Sequence, residues 1–270
     1  TDPALVAVRR PLPARLYWAA VREIVEPDSV RRALAEREAL VRWDGSDRGV
    51  VGAAAAVAWP GRRATWEAIS YRDPARIGRP RRVSAASVRA AQRADPRLFL
   101  CYDPRTRRLL VAPHTPCPIL FGLRGRVAAA VLRARPRVRA EPVERWMLFR
   151  TNQGTGDHFV RRDPAAWLPG RSGWFDGTVI GAPLRGPGGH VSFVLHSARD
   201  AAAVPCIAFE PTKTLPAVAR QLVEGDRLRV WGSRTDGPTV RLEGIEVRRW
   251  SPVGPRTRPP TCPGCGRNAR

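Results

Sequence analysis

The segment V-S-F-V-L-H at residues 191–196 decides how the C-terminal half of the chain folds. Val191, Phe193 and Leu195 alternate with Ser192 and His196, which is the period of a strand with one buried face. The pattern therefore predicts one strand of a sheet that packs on its own core.

Four further strand-like segments and one helical segment surround this strand. Leu215, Val218 and Leu222 share one face of the helical segment, and Thr214 is its candidate cap. Five strands with a helix between the third and the fourth predict an OB-fold β-barrel over residues 170–250, with another small β-barrel as the alternative. The other strands are expected at 175–180, 205–209, 228–231 and 239–247, and the helix at 214–224.

Aromatic and basic side chains in this barrel are of the types that bind oligonucleotides, because rings stack on bases and arginines contact phosphates. Phe193 and Phe209 fit the core of the barrel equally well. Lys213, in the run A-F-E-P-T-K, is either an RNA-phosphate contact or a solvated residue ahead of the helix cap. The candidate RNA-binding residues are Phe209, Lys213, Arg229, Trp231 and Arg241.

The middle of the chain, residues 46–165, alternates short strands with helix and predicts an α+β sandwich of ferredoxin-like type. The first forty residues are predicted to be helical, with Leu16, Ala20 and Ile24 at helical spacing and Asp28 or Ser29 capping a second helix. A small-residue helix is expected at 50–59. The strands of the sandwich are expected at 65–72, 98–102, 108–112, 119–122 and 145–149, and its helix at 124–134.

The run R-W-M-L-F-R-T-N-Q-G-T-G-D-H-F-V at residues 145–160 ends an apolar strand in a dense polar cluster. Polar side chains at the end of a rigid strand often form a site, although a polar turn that closes a sheet is the alternative. The candidate catalytic residues are Thr151, Asn152, Asp157 and His158.

The chain is strongly basic. Its 270 residues carry 47 Lys and Arg against 24 Asp and Glu, a net charge of +23. This charge indicates a polyanionic partner, most simply a nucleic acid. Lys213 is the only lysine, so arginine codons of a GC-rich genome are the competing explanation for part of the charge.

Nothing in the sequence indicates a membrane or an export signal, because the longest apolar run, residues 50–59, is too short to span a bilayer. Five poorly spaced cysteines favour a reducing cytoplasm.

Residues 251–270 are predicted to be a Pro/Arg linker followed by the first half of a zinc ribbon, with Cys262 and Cys265 as two thiolate ligands of an incomplete site. Cys101, Cys117 and Cys206 are expected to be buried apolar residues.

Eight runs, in order over nearly the whole chain, resemble the archaeal isoleucine-tRNA 2-agmatinylcytidine synthetase family. They begin at Gly49, Trp66, His114, Trp146, Gly188, Ala208, Glu224 and Cys262, and include W-E-A-I-S-Y-R, H-T-P-C-P-I-L-F-G-L-R-G, G-G-H-V-S-F and E-G-D-R-L-R-V-W-G-S. The resemblance implies kinase-like, ferredoxin-like, OB-fold and zinc-ribbon domains. It implies an ATP-dependent ligase that attaches agmatine to the wobble cytidine of an isoleucine tRNA, which then decodes AUA.

The resemblance also suggests substrate-binding residues. Agmatine is a dication, so its pocket needs carboxylates, for which Glu67 and Asp157 are candidates. Glu67 is otherwise a solvated strand residue. Arg124, between Gly122 and Gly125, is a candidate phosphate contact because glycine neighbours permit close approach of the backbone.

The family's aspartate-rich segment and its Arg-Gly-Asn-Gly loop, which we expect to hold magnesium and ATP, have no counterpart in this chain. We therefore expect a fragment truncated at both ends, in which residues 1–45 are the end of the kinase-like domain or connecting helices. A separate N-terminal lobe would supply the ATP chemistry. A non-catalytic RNA-binding module is the competing function, and a degenerate product is the third hypothesis.

Overall fold

The computed structural model describes residues 4–104, 106–212 and 214–252. The chain divides into two compact units: Thr1–Trp59 together with Asp157–Arg270, and Pro60–Gly156. None of the helices in the described ranges is long and apolar enough to cross a membrane.

The first unit begins with two short strands and three helices. Strand β1 (Ala4–Ala7) pairs antiparallel with β2 (Leu40–Trp43), and the helices are α1 (Ala14–Arg22), α2 (Pro27–Ala35) and α3 (Arg48–Val57). One face of each helix is apolar, and these faces pack together around Tyr17, Val30 and Ala54.

Three parts of the prediction for this region are wrong. The region is not helical throughout, because the short segments Ala4–Ala7 and Leu40–Trp43 pair with each other as an antiparallel ladder. Ile24 lies beyond the end of α1 and is 69% exposed, because the chain is already extended at Glu23. Neither Asp28 nor Ser29 caps α2. The helix begins at Pro27, whose fixed φ suits the first helical position.

The second unit is a three-stranded antiparallel sheet with two helices on one face. Strand β3 (Thr65–Tyr71) is followed by helix α4 (Ala85–Ala94) and a hairpin of β4 (Tyr102–Asp103) and β5 (Arg108–Leu109). The chain continues through β6 (Ile119–Gly125), helix α5 (Ala128–Ala134) and β7 (Arg145–Thr151). Strand β3 is central, between β6 and β7. Ala68, Leu123 and Leu148 face the two helices, because alternate residues of a strand point to opposite faces.

Two predictions for this unit are wrong, and one helix was missed. Residues 98–102 do not form a continuous strand, because Leu100 has a positive φ: Leu98 makes only an isolated bridge with Gly125, and Tyr102 belongs to the short strand Tyr102–Asp103. The helix predicted from Arg124 begins at Ala128, because Arg124 and Gly125 continue β6 opposite β3. Helix α4, capped by the Ser84 side chain, was not predicted at all.

Two arginines fix the loops at one end of this sheet. Arg72 is 1% exposed; its Nε donates to Glu141 at 2.9 Å, and its other nitrogens donate to the carbonyls of Arg79 and Pro80. Arg81 donates to the backbone carbonyls of Thr115, Cys117 and Ile119 in the H-T-P-C-P-I loop and to that of Pro113 just before it, at 2.7–3.1 Å.

The rest of the first unit is a closed five-stranded barrel. Its elements are β8 (Val160–Arg161), β9 (Ser172–Arg185), β10 (Val191–Ser197), β11 (Ala203–Ala208), α6 (Thr214–Ala219), β12 (Arg227–Arg234) and β13 (Val240–Arg249). The long strand β9 pairs with β12 over its first half and with β10 over its second, which closes the ring in the order β9-β10-β11-β13-β12. Short strand β8 adds to β9 in parallel outside the ring. The fold is therefore mixed α+β with a five-stranded β-barrel.

The strand predicted at residues 191–196 is confirmed, with Val191, Phe193 and Leu195 in the barrel core. The helix predicted to reach Glu224 ends at Ala219. Gln221 and Leu222 continue the chain with tighter turns, in which their N–H groups bond carbonyls three residues back. Strand β9, the first of the barrel, is much longer than the predicted 175–180, because β12 pairs with its first half and β10 with its second.

The buried Arg72–Glu141 pair should dominate the stability of the second unit. Removing one partner of a buried ion pair leaves an uncompensated charge, so Arg72→Met should lower the free energy of unfolding by about 3–5 kcal/mol. Urea titration of the chain measures this change. Arg145→Met, which removes the exposed pair with Glu144, is the matched control and should cost at most about 1 kcal/mol. Equal losses for the two variants would contradict this assignment.

The same pair should make stability depend on pH. Burial raises the pKa of Glu141, but hydrogen bonds from the Arg82 N–H and from Arg72 outweigh it, so the pKa is lower in the folded chain. A lowered carboxyl pKa contributes stability above the ordinary value of about 4.3, and this stability is lost as the pH falls through the folded pKa. Thermal melts of wild type and Glu141→Gln should differ most near neutral pH and converge in acid. A difference that does not depend on pH would contradict the shift.

Candidate functional site

The helix-free face of the three-stranded sheet brings together a carboxylate and a guanidinium. Glu67 on β3 lies opposite Arg124 on β6 in the strand register. The Arg124 Nε donates to Glu67 Oε1 at 3.0 Å. Glu67 is 8% exposed, whereas the Arg124 side chain is 29% exposed, so the pair has a buried acid and a half-buried base. Glu67 is therefore not the solvated strand residue of the alternative interpretation.

Gly122 makes room for this pair. A Cβ atom at Gly122 would lie 2.6 Å from Glu67 Oε1, closer than atoms of this kind approach. Gly125 has a different role. Its Cβ would meet Val131 of α5 at 2.6 Å, so Gly125 allows the helix to pack on the opposite face. Of the two glycines, only Gly122 belongs to the helix-free face.

Thr151 ends β7 on the same face as Glu67, and the residues after it form a compact loop. The Thr151 hydroxyl accepts the Gln153 N–H at 2.8 Å, and the Asn152 carbonyl accepts the Thr155 hydroxyl at 2.8 Å. Gly154 has a positive φ and lies against Phe99. The loop is held by these hydrogen bonds and by the Thr65 hydroxyl of β3, which donates to the Gln153 carbonyl at 2.7 Å. Asn152 is exposed at its start.

Asp157 and His158 belong to the first unit, whereas Thr151 and Asn152 belong to the second. Asp157 is 6% exposed, and its Oδ2 accepts the Tyr17 hydroxyl at 2.8 Å. Its carbonyl accepts from Arg22, whose guanidinium lies over Trp18. His158 is half-buried with its ring against Phe159. Asp157 thus anchors the chain to α1, and a catalytic role for either residue remains a prediction.

The barrel carries two tryptophans side by side on its outer surface. Trp174 of β9 and Trp231 of β12 are direct register partners, and both are half-buried. The Arg229 guanidinium lies 4.0 Å from the centre of the Trp174 ring, a cation–π distance. Trp231 lies over Gly244, where a Cβ atom would be 3.1 Å from the ring. We call Trp174, Asp176, Arg229 and Trp231 the tryptophan patch.

Asp176 fixes the arginine of this patch. Arg229 Nε and a terminal nitrogen donate to the two oxygens of Asp176 at 2.8 and 3.0 Å. This bidentate bond from Arg229 lowers the pKa of Asp176 and holds it ionised. The Arg161 guanidinium lies 5.6 Å from the centre of the Trp174 ring, so the patch is basic at its edge.

Phe209 and Arg241 lie elsewhere on the barrel. The Arg241 guanidinium is 5.1 Å from the Phe209 ring centre, and the His190 ring contacts Phe209 edge-on at 4.8 Å. The predicted RNA-binding residues are thus split between this cluster and the tryptophan patch. Lys213 lies outside the described residues.

Within the described ranges, no group of three or more His, Cys, Asp and Glu side chains is arranged to hold a metal ion. Cys262 and Cys265 lie outside those ranges. Cys101 and Cys206 are buried, as predicted, and burial raises the pKa of each thiol, whereas Cys117 is half-buried.

Sequence reasoning missed several residues of these surfaces. Trp174 and Asp176 alternate with buried Phe175 in a period-two pattern, so this pattern, together with the residue types that identified Trp231 and Arg229, was available to find them. Arg161 gives no such indication, because β8 has only two residues.

The chain is similar to known proteins of one family. The family model described as the TiaS FLD domain matches residues 47–158. The isoleucine-tRNA 2-agmatinylcytidine synthetase TiaS of Methanosarcina mazei is 35% identical over 267 residues, which are 97% of this chain and 62% of that protein. The TiaS of Archaeoglobus fulgidus is 36% identical, with 82% of this chain and 52% of that protein covered. The chain thus spans at most about three fifths of the length of these curated relatives.

Solved structures of TiaS have the same fold as this chain. The crystal structure of the ZRD-deleted mutant of TiaS in complex with agmatine matches with a TM-score of 0.82 at 31% identity, over 92% of this chain and 70% of that one. The crystal structure of TiaS in complex with its isoleucine tRNA and ATP matches with a TM-score of 0.81 at 31% identity, over 94% of this chain and 60% of that one. Since the similarity extends over nearly the whole chain in both sequence and fold, the chain belongs to the isoleucine-tRNA 2-agmatinylcytidine synthetase (TiaS) family.

Proposed function

We propose that this chain forms part of an ATP-dependent ligase that attaches agmatine to the wobble cytidine of an isoleucine tRNA, so that the tRNA decodes AUA. Relatives named for this activity cover nearly the whole chain, and this favours the ligase over a non-catalytic RNA-binding module. The observation that carries the proposal is the Glu67–Arg124 pair across Gly122 on the helix-free sheet face.

We assign residues 46–165 to a ferredoxin-like domain and residues 170–250 to an OB-fold. The order β7-β3-β6, with both helices on one face, supports the first assignment. The closed ring, with a helix between its third and fourth strands and a parallel pairing of β11 with β13, supports the second. We assign residues 1–45 to the end of a kinase-like domain or connecting helices, and 251–270 to a linker with the first half of a zinc ribbon.

The charges of the Glu67–Arg124 pair suit the two charged reactants. The Glu67 carboxylate is acceptor-only and can receive several hydrogen bonds, so it suits the guanidinium of agmatine. The half-buried Arg124 guanidinium suits a phosphate, either of the tRNA or of a cytidine O2 activated by ATP. In the proposed reaction the agmatine amine forms a bond to the base carbon and displaces that activated oxygen. Thr151 and Asn152, at the end of β7, are the candidates for contacts with the cytidine.

The tryptophan patch and the Phe209–Arg241 cluster supply the tRNA contacts in this proposal. An indole ring stacks on any base, and arginines neutralise phosphates. The net charge of +23 is consistent with such a polyanion. Among the described residues we find no carboxylate cluster that fits magnesium, so we derive no step through ATP from them.

Glu67→Gln should weaken agmatine binding by about tenfold or more, because a hydrogen bond to a charged group contributes about 1.5–3 kcal/mol. Gly122→Ala should have a similar effect, since its Cβ would displace the Glu67 carboxylate. Titration calorimetry of agmatine into the chain with isoleucine tRNA present measures both.

Two matched variants serve as controls. Glu144→Gln removes an exposed, paired carboxylate, and Gly52→Ala adds a Cβ where no atom lies within 4 Å. Agmatine binding should be unchanged in both. Unchanged binding in a folded Glu67→Gln chain would eliminate the assigned role of Glu67.

Trp231→Ala should weaken tRNA binding by about 1–3 kcal/mol without changing the salt dependence, because a lost stacking contact releases no counterions. Trp43→Ala is the matched control: Trp43 is 45% exposed under the Arg31 guanidinium but lies outside the barrel. Filter binding at several salt concentrations measures affinity and slope. Equal losses for the two tryptophans would indicate that the tryptophan patch is not a specific contact.

A further inference from the structure

The three-stranded sheet of the second unit has two outer edges, and they are treated differently. On the β6 side, the Gly122 N–H donates to the Val111 carbonyl at 2.9 Å. The Arg124 carbonyl on the same edge accepts the Phe99 N–H at 3.1 Å. On the β7 side, no strand among the described residues pairs with β7. An open strand edge is a template for pairing with another chain, and proteins usually protect it.

The strand register shows which backbone groups of β7 are left over. Gly122 directs its N–H outward, so its register partner Ile69 directs its own backbone groups the other way, to β7. The residue that Ile69 meets there is Met147. Because this direction alternates along a strand, the neighbours Trp146 and Leu148 direct their N–H and C=O groups away from the sheet. In the described part of the chain, these groups have no hydrogen-bond partner.

The side chains along this open edge are apolar and accessible. Trp146 is 41% exposed and Met147 is 52% exposed, whereas Leu148 and Phe149 are half-buried. The strand contains no proline and no lysine, the residues that most often block pairing at an edge.

The two arginines of β7 do not block the edge either, because both contact their own unit. The Arg145 guanidinium donates to Glu144 at 3.2 Å and lies 4.9 Å from the centre of the Tyr71 ring. The Arg150 guanidinium donates to the Gly61 carbonyl. The edge therefore presents a backbone ladder and an apolar surface.

A second copy of β7 is complementary to this edge. A two-fold axis at Met147, perpendicular to the sheet, places Trp146 of each copy opposite Leu148 of the other. Their outward N–H and C=O groups then bond to each other, with about four hydrogen bonds in all. Met147 faces its own copy, and Arg145 faces Phe149. Apolar side chains thus meet one another, and no arginine faces an arginine.

We propose that the chain forms a symmetric dimer in which β7 pairs antiparallel with β7 of a second copy about Met147. The two three-stranded sheets become one continuous sheet, and both Glu67–Arg124 pairs lie on its helix-free face. This inference does not rest on the proposed reaction, since the pairing uses neither agmatine nor tRNA.

Sedimentation velocity of the nuclease-treated chain tests the association, with 29.8 kDa as the mass of the monomer. The wild type should approach twice this mass as its concentration rises. Higher salt should favour the dimer, because it screens the repulsion between two copies that each carry a charge of +23. Copies bridged by RNA would instead separate in salt, since phosphate contacts weaken, and that result would overturn the inference.

Trp146→Pro should leave the chain monomeric. Proline lacks the N–H that the second copy needs, and the Trp146 N–H is not used in pairing with β3, so the sheet itself tolerates the change. Trp146→Ala is the matched control, because it removes the same side chain but keeps the N–H. It should still dimerise, with affinity reduced by about tenfold at most. Circular dichroism verifies that both variants fold.

Cross-linking tests the register without a variant that could fail to fold. In a Cys117→Ser, Cys262→Ser, Cys265→Ser background, Met147→Cys should form a disulfide with its own copy under mild oxidation. Residues that face each other in this type of antiparallel pair have Cα atoms about 4.5 Å apart, within the range of disulfides. Leu184→Cys is the control. Leu184 is more exposed, at 69%, but lies on the barrel, so its thiol should stay free.

A wild type that stays at 29.8 kDa at every concentration overturns the inference and leaves the edge to a strand of another protein. Equal association of Trp146→Pro and Trp146→Ala, both folded, also overturns it, because the interface would then lie elsewhere. Cross-linking of Met147→Cys and Leu184→Cys at the same rate has the same meaning.

Discussion

The arrangement of the second unit depends on one close approach, that of the Glu67 carboxylate to the backbone at Gly122. A carboxylate this buried is stable only with a partner, and Arg124 is the residue opposite it in the ladder. The pair can form only if β6 continues through Arg124 and Gly125 as a strand. That continuation delays the start of α5 and places Val131 over Gly125. One ion pair on the helix-free face therefore sets the register in which the other face is packed.

The barrel is built differently. Its inner face is almost entirely apolar, and the aromatic and charged side chains of the tryptophan patch lie on its outer surface. The tryptophan patch lies on β9 and β12, away from the β10–β11 face that small barrels of this kind usually present to oligonucleotides.

Much of this was predictable, and the failures have physical causes. Strand β10 follows from alternation, and the strands predicted at 65–72 and 228–231 correspond to β3 and β12. The polar residues at the end of β7 are where the run after Phe149 predicted them. The Glu67–Arg124 pair could not be found from periodicity, because it requires the register between strands far apart in sequence. A positive φ at Leu100 and the two-residue strand β8 leave no pattern to detect. The partner of Asp157 is Tyr17, a hydrogen bond over 140 positions that no local spacing encodes.

Arg81 and Arg72 each hold a loop at one end of the three-stranded sheet, but they do so through different kinds of contact. Arg81 binds only backbone carbonyls and the Cys117 sulfur, and a guanidinium keeps its proton throughout the accessible range. Arg72 depends in part on Glu141, which acid neutralises. Two neighbouring loops at one end of the sheet are thus held by arginines whose contacts respond differently to acid. Acid strong enough to protonate Glu141, whose pKa is lowered in the folded chain, would loosen the loop around Arg79 and Pro80 before it disturbed the H-T-P-C-P-I loop, so the end of the sheet would open in two stages rather than in one.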